Sequence, residues 1–208
     1  MNKFDGVIKY TDEITKNYKI ADRVKKAVKL IGKGNKILDI GCRIGEVTNL
    51  FAEGNEVTGI DVVPEFIERI KKKVNGKFLV FDLDSKQHLP FASKSFDVVF
   101  IGEVLEHIHY PLDCLKESYR VLKDDGRIII CGQNESSLRK RLRRAVGKNT
   151  MPDGFYTKFL THWQLKYWLY RAKFDITQWI NEGTRVMNVK LPFAFEDSCD
   201  VWIVEAKK

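Results

Sequence analysis

Between residues 36 and 131, short uninterrupted apolar runs alternate with segments of helical spacing. Lys36-Ile37-Leu38-Asp39-Ile40 is the first run, followed by a helical stretch over 46–53. The runs 56–60, 77–81, 96–101 and 127–131 continue the series. Helical segments over 65–74, behind Pro64, and over 112–122 separate some of them, and Asp125-Gly126 supplies a turn. Apolar residues that run in series rather than alternating suit a strand covered on both faces, not one with a solvated side. Strands of that kind alternating with helices predict βαβ units and a parallel sheet with helices on both faces. Ligands of such sheets bind beyond the carboxyl ends of the strands. Acids and glycines at those ends are therefore the candidate functional residues.

The flanks add less. Ile20, Val24, Ala27, Val28 and Ile31 recur at helical spacing, and Gly32 and Gly34 end that helix. Beyond Cys131 the chain turns polar and basic over 133–156, then predicts a helix over 160–171 and strands over 174–180 and 201–205. With 208 residues, the expectation is one domain over 1–208, with a helical segment over 1–34 and a basic insert or lid over 133–160. The N-terminus has no apolar leader and no run of about 18 apolar residues occurs, so the expected location is the cytoplasm. Cys42, Cys114, Cys131 and Cys199 form no C-x-x-C pair, which argues for reduced thiols and against a zinc ribbon.

The first run enters Asp39-Ile40-Gly41-Cys42-Arg43-Ile44-Gly45. A glycine loop between strand and helix brings backbone N–H groups close to a ligand. It is not a dinucleotide fingerprint, because Arg43 and Glu46 stand where G-x-G-x-x-G needs glycine, and no G-K-[ST] follows. A nicotinamide enzyme is therefore disfavoured. Asp61 ends the second run, 20 residues after Gly41, where a carboxylate can accept both hydroxyls of a ribose. Asp82 ends the third and could accept from an adenine amino group, with the Leu83 N–H donating to the ring; Asp84 competes for that place.

The loop resembles the D-x-G-C-G-x-G motif of class I S-adenosylmethionine-dependent methyltransferases. Leu89-Pro90-Phe91, Ser95-Phe96-Asp97-Val98-Val99, Glu103-Val104-Leu105-Glu106-His107-Ile108, Tyr119-Arg120-Val121-Leu122-Lys123 and Gly126-Arg127 are similar to successive blocks of that family, in order. The resemblance implies a single doubly wound, mostly parallel seven-stranded sheet whose last strand is antiparallel, the Rossmann-like methyltransferase fold. It implies S-adenosylmethionine as cofactor and S-adenosylhomocysteine as product. Asp39, Gly41, Cys42, Arg43 and Gly45 would surround the methionine part, Asp61 and Val62 the ribose, and Asp82 and Leu83 the adenine. Glu103 would lie near the sulfonium. Arg43 departs from the family's glycine and could direct its side chain outward or obstruct the cofactor.

Methyl transfer needs alignment of the acceptor and, for a hydroxyl, a general base. His107 is the candidate base, with Glu103 beside it. On a helical turn Glu103, Glu106 and His107 would share a side, an E-x-x-E-H arrangement similar to one in methyltransferases of ubiquinone biosynthesis and of RNA 3′ ends. A divalent metal there is the alternative, and the preferred reading has no metal. Five of the six residues from Arg139 to Arg144 are basic, and the chain carries a net charge of +8. That segment predicts a lid helix packed through Leu138 and Leu142, or a surface for an anionic substrate or acidic membrane; nucleic acid is the less favoured partner. Trp163, Tyr167 and Trp168 are expected in the core, and His162 at a cap or in solvent. In the resembling segment 155–161, Tyr156 replaces a histidine of the relatives. The sequence thus predicts methyl transfer to a small or lipid-like acceptor, at oxygen. Its rivals are an RNA methyltransferase and a methyltransferase-like binding protein without catalysis.

Overall fold

The structure, a computed structural model, describes residues 4–15, 20–148, 158–183, 185–186, 189–190 and 199–208. Five strands run parallel: β1 (Lys36–Ile40), β2 (Glu56–Asp61), β3 (Lys77–Val80), β4 (Phe96–Gly102) and β5 (Leu122–Gln133). They join β6 (Asp175–Glu182) and β9 (Val201–Lys207) in a seven-stranded sheet of order β3-β2-β1-β4-β5-β9-β6. Only β9 is antiparallel to its neighbours, pairing Arg127↔Lys207 with β5 and Glu182↔Val201 with β6. A short hairpin, β7 (Arg185–Val186) with β8 (Val189–Lys190), stands apart.

Alternate strand residues enter two cores. Ile37, Val57, Val98, Phe100 and Ile129 face α2 (Asp22–Ile31), α3 (Asn49–Ala52) and α4 (Pro64–Lys71). Leu38, Ile40, Val99, Ile101 and Ile130 face α5 (Pro111–Val121) and α7 (His162–Arg171). Covering both faces is what sets apolar residues in series along the central strands β1, β4 and β5. All four cysteines are buried and none forms a disulfide.

Three local expectations are corrected. The helix expected over 46–53 is regular only in α3, because residues 45–48 form turns around the glycine loop. β5 begins at Leu122, not at Arg127; the pairing with β4 shifts between Phe96 and Val98, and Asp125-Gly126 lies inside that irregularity. A helix absent from the periodicity reading, α1 (Asp5–Thr15), precedes α2.

Candidate active site

The chain runs outward from β1 to β2 and β3, then returns to β4 on the other side of β1. The crevice between the carboxyl ends of β1 and β4 is therefore the switch point where such sheets bind ligands. Its walls are the loop after Ile40 and the turn after Gly102.

The glycine loop is held from below. The N–H groups of Gly41 and Cys42 donate to the Ile60 carbonyl at 2.8 and 3.1 Å. Gly41 and Gly45 have φ of 80° and 90°, and a Cβ at Gly41 would overlap Val104 Cγ2. Glycine is required there for conformation and for close approach. Cys42 turns away from the crevice into the core beside Gly59, so only its backbone is available to a ligand.

Asp39 is buried and accepts from Thr48 Oγ1 at 2.6 Å. Burial pushes its pKa up to about 7, and the charge of Asp61 adds to the shift while the Thr48 hydroxyl opposes it. Asp61 accepts the Arg43 N–H on Oδ2 and the Val63 N–H on Oδ1, both at 3.0 Å. Burial raises its pKa; the two N–H groups and the Arg43 charge pull the other way.

Arg43 adopts the left-handed conformation itself, at φ 51°. Its guanidinium leaves the loop and donates from Nη2 to Thr11 Oγ1 on α1 at 3.0 Å. Helix α1 thus rests on the loops after β1 and β2. Phe4, Val7 and Ile8 pack with Ile44, Val62, Val63 and Phe66, and Arg69 pairs with Asp12. The outward course of the arginine is the physical resolution of its departure from glycine.

After β3 the two candidate acids separate. Asp84 accepts the N–H groups of His109 and Tyr110 at 2.7 and 3.2 Å and meets His109 Nδ1 at 2.9 Å, which ties this loop to the one after β4. Asp82 is exposed and caps only the Asp84 N–H, at 2.9 Å. Asp82 is the acid available to a ligand, with Leu83 half-buried beside it.

No helical turn spans 103–107. Glu103 has φ 56° and the segment is a series of bends and turns. The expected shared face is therefore corrected, and among the described residues no group of three His, Cys, Asp or Glu side chains converges as a metal site. Glu103 instead accepts from Arg23 Nε of α2 at 2.6 Å, a partner no sequence spacing signals. Glu106 is buried; desolvation raises its pKa to about 8, with the charges of Glu103 and Glu135 adding. His107, half-buried, follows it.

The outer segment overturns three more expectations. On α6 (Leu138–Ala145) Leu142 is exposed and Lys140 is buried, paired with Glu135 and donating to Gln133 Oε1 at 3.0 Å. Trp163 and Tyr167 are exposed, and only Trp168 packs on the core. His162 is fully buried, because Thr161 takes the cap of α7 by exchanging hydrogen bonds with Gln164. Tyr156 lies outside the described residues.

The strand order, the switch-point crevice and the paired acids define a doubly wound nucleoside-binding type of protein. The comparisons sharpen this. Residues 38–130 match a family model described as a methyltransferase domain. The chain is 35% identical over 103 residues to the demethylmenaquinone methyltransferase of Lactobacillus johnsonii, covering 46% of this chain and 42% of that one. It is 34% identical over 104 residues to the 27-O-demethylrifamycin SV methyltransferase of Amycolatopsis mediterranei, covering 47% and 38%. A Thermotoga maritima structure, described as a SAM-dependent methyltransferase and possible histamine N-methyltransferase, superposes with a TM-score of 0.75 at 17% identity over 99% of this chain and 98% of that one. The family match thus covers residues 38–130, under half of the chain, and the structural likeness shows the same doubly wound fold. The chain matches less than half the length of either curated relative.

Proposed function

We propose that the protein is an S-adenosylmethionine-dependent methyltransferase acting on the oxygen of a small or lipid-like acceptor. The observation that carries this reading is the glycine loop at the switch point: Gly41 and Gly45 at positive φ, between a buried Asp39 and an Asp61 anchored by two backbone N–H groups. The donor set fits the cofactor. Asp61 would take the ribose hydroxyls, Asp82 and the Leu83 N–H the adenine, and the Gly41–Gly45 backbone the amino-acid end. Asp39, poised near neutrality, would ionise in response to a cation. When bound, the cofactor supplies a methyl group on a positively charged sulfur.

The remaining work falls to this chain's own groups. His107 is assigned as the base that removes the acceptor's hydroxyl proton. Glu103 is held in its pair with Arg23, which suits it to positioning better than to proton transfer. Burial raises the Glu106 pKa to about 8, which favours its neutral form in the turn beside His107. Helix α1 braces the loops after β1 and β2 from outside. The acceptor class rests on the relatives named above, which methylate small molecules by name.

Calorimetric titration with S-adenosylhomocysteine, with NAD as control, tests the cofactor. Micromolar binding of the first alone is the expected result, and equal binding of both, or of neither, refutes the reading. A labelled-methyl screen of quinol, sugar and lipid acceptors follows, with loss of turnover in His107→Ala at unchanged cofactor affinity as the expected signature of a base.

A further inference from the structure

Helix α6 is built inside out. Its buried residue is a lysine, Lys140, while Leu142 and Val146 just beyond the helix are 46% and 69% exposed. A helix that packed on the protein in the ordinary way would bury those two side chains. Helix α7 does the same in another form. Trp163, Tyr167 and Tyr170 stand at i, i+4 and i+7, one face of the helix, and are 63%, 54% and 76% exposed. The opposite face carries His162, Leu165 and Leu169 into the core.

The two helices form one surface. Arg141 and Arg144 of α6 line a hollow of about 530 Å³ together with Phe159 and with Trp163 of α7, and the Arg144 guanidinium lies 5.1 Å from the Phe159 ring centre. Neither helix contains an acidic residue. Arg139 meets Asp200, and Lys140 and Arg144 meet Glu135, whereas Arg141 and Arg143 point to solvent. On α7, Lys166 lies 5.6 Å from the Trp163 ring and Arg171 donates to the Tyr167 hydroxyl at 2.7 Å.

Exposed Trp and Tyr on α7, beside exposed arginines and aliphatics on an α6 that shares a hollow with Trp163, are the composition of an interfacial surface. The rings have one apolar side and one polar tip, which suits the headgroup boundary. The exposed arginines complement anionic headgroups. We infer that the α6–α7 face docks the protein peripherally on an anionic lipid bilayer. No helix among the described residues is long and apolar enough to cross a membrane, so the contact is with the surface. The inference stands independently of the methyl-transfer reading, although it would bring a lipid-like acceptor to the same end of the sheet as Glu106, which feels the charges of Lys140 and Glu135.

Sedimentation of the full chain with vesicles tests it. Vesicles of phosphatidylcholine with about one-third phosphatidylglycerol should pull the protein down, pure phosphatidylcholine should not, and added salt should release it. Each surface arginine contributes about fivefold, so Arg141→Ala with Arg143→Ala should weaken partitioning about 30-fold. Tryptophan emission should shift to the blue on binding, and Trp163→Phe should abolish the shift. Equal binding to both vesicle types, or arginine-dependent binding to single-stranded RNA that displaces the vesicles without a Trp163 shift, overturns the inference. S-adenosylhomocysteine titration of the same variants should match the parent. Vesicle binding by a protein that binds no cofactor would sink the proposed function and leave this surface standing.

Discussion

The loops around Asp39 and Asp61 bury carboxylates and meet them with local donors: a threonine hydroxyl in one case, two backbone N–H groups in the other. The α6–α7 face buries a lysine and turns its aromatic and aliphatic side chains outward. Both regions break the ordinary rule that charge lies outside and apolar groups inside. They break it for different reasons. A buried acid that stays near its neutral form costs little until a cation arrives, so its site is prepared for a ligand. A buried lysine paired with glutamate holds a helix in an orientation that its apolar residues would not choose, so the surface is prepared for a partner.

The largest expected effect tests the second region. Lys140→Ala leaves Glu135 buried with only the Arg144 contact at 3.3 Å, and should destabilise the fold by about 3–5 kcal/mol, toward the lower end because Arg144 remains. Replacing both partners, as Lys140→Met with Glu135→Leu, should recover most of that loss in urea denaturation. If the single variant is neutral, the pair does not orient α6 and the contrast between the regions fails.

Asp39 gives the next effect and inverts the sign. Its folded pKa of about 7 lies above the unfolded value of 3.8, so the folded state binds the extra proton between those values. Stability from this group is present below pH about 4 and falls as pH rises to about 7. Asp39→Asn keeps an acceptor for Thr48 and removes that loss, so it should be more stable than the parent by roughly 1–4 kcal/mol at pH 8 and near parity at pH 4. The same variant should lose cofactor affinity. In the parent, affinity for a cationic cofactor should fall as pH drops below 7, with proton release visible by calorimetry in buffers of different ionisation enthalpy. A flat profile would mean that Asp39 does not sense the ligand.

Asp61→Ala should weaken S-adenosylhomocysteine binding by roughly 10–200-fold, the loss of charge-assisted hydrogen bonds of about 1.5–3 kcal/mol. Unchanged affinity in calorimetric titration would remove the ribose assignment and leave Asp61 as a loop anchor alone.

The sequence made the first region legible and the second largely not. Strands β1, β2 and β4 were readable because burial on both faces leaves apolar residues in series, and the placement of Asp39, Gly41, Gly45 and Asp61 at the ends of β1 and β2 was readable with them; their roles toward a cofactor belong to the proposal. The turn after β4 was misread as helical, since nothing local announces that Glu103 sits at positive φ with its side chain held by Arg23, 80 residues earlier. Helix α6 was misread for a related reason. Leu138 and Leu142 have core spacing, and the burial of Lys140 depends on Glu135 meeting it in three dimensions. Periodicity reports the face a helix could bury, and a tertiary ion pair can select another. The choice between Asp82 and Asp84 likewise needed His109 and Tyr110, which the fold brings across from another loop.

Arg43 joins the two kinds of region, because it stands in the cofactor loop while its side chain serves a helix. Arg43→Gly should relieve left-handed strain of about 1 kcal/mol and lose one part-buried hydrogen bond of similar size, leaving overall stability within about 1 kcal/mol of the parent. The backbone N–H to Asp61 survives the change, so cofactor affinity should alter by less than about threefold if the guanidinium does no more than fasten α1. Hydrogen exchange over residues 5–15 should then quicken while exchange in β1 and β2 stays slow, because the Thr11 contact is lost and the Phe4–Val7–Ile8 packing remains. A tenfold gain in affinity would show instead that the arginine obstructs the crevice, and a tenfold loss would show that closure of α1 is itself part of cofactor binding.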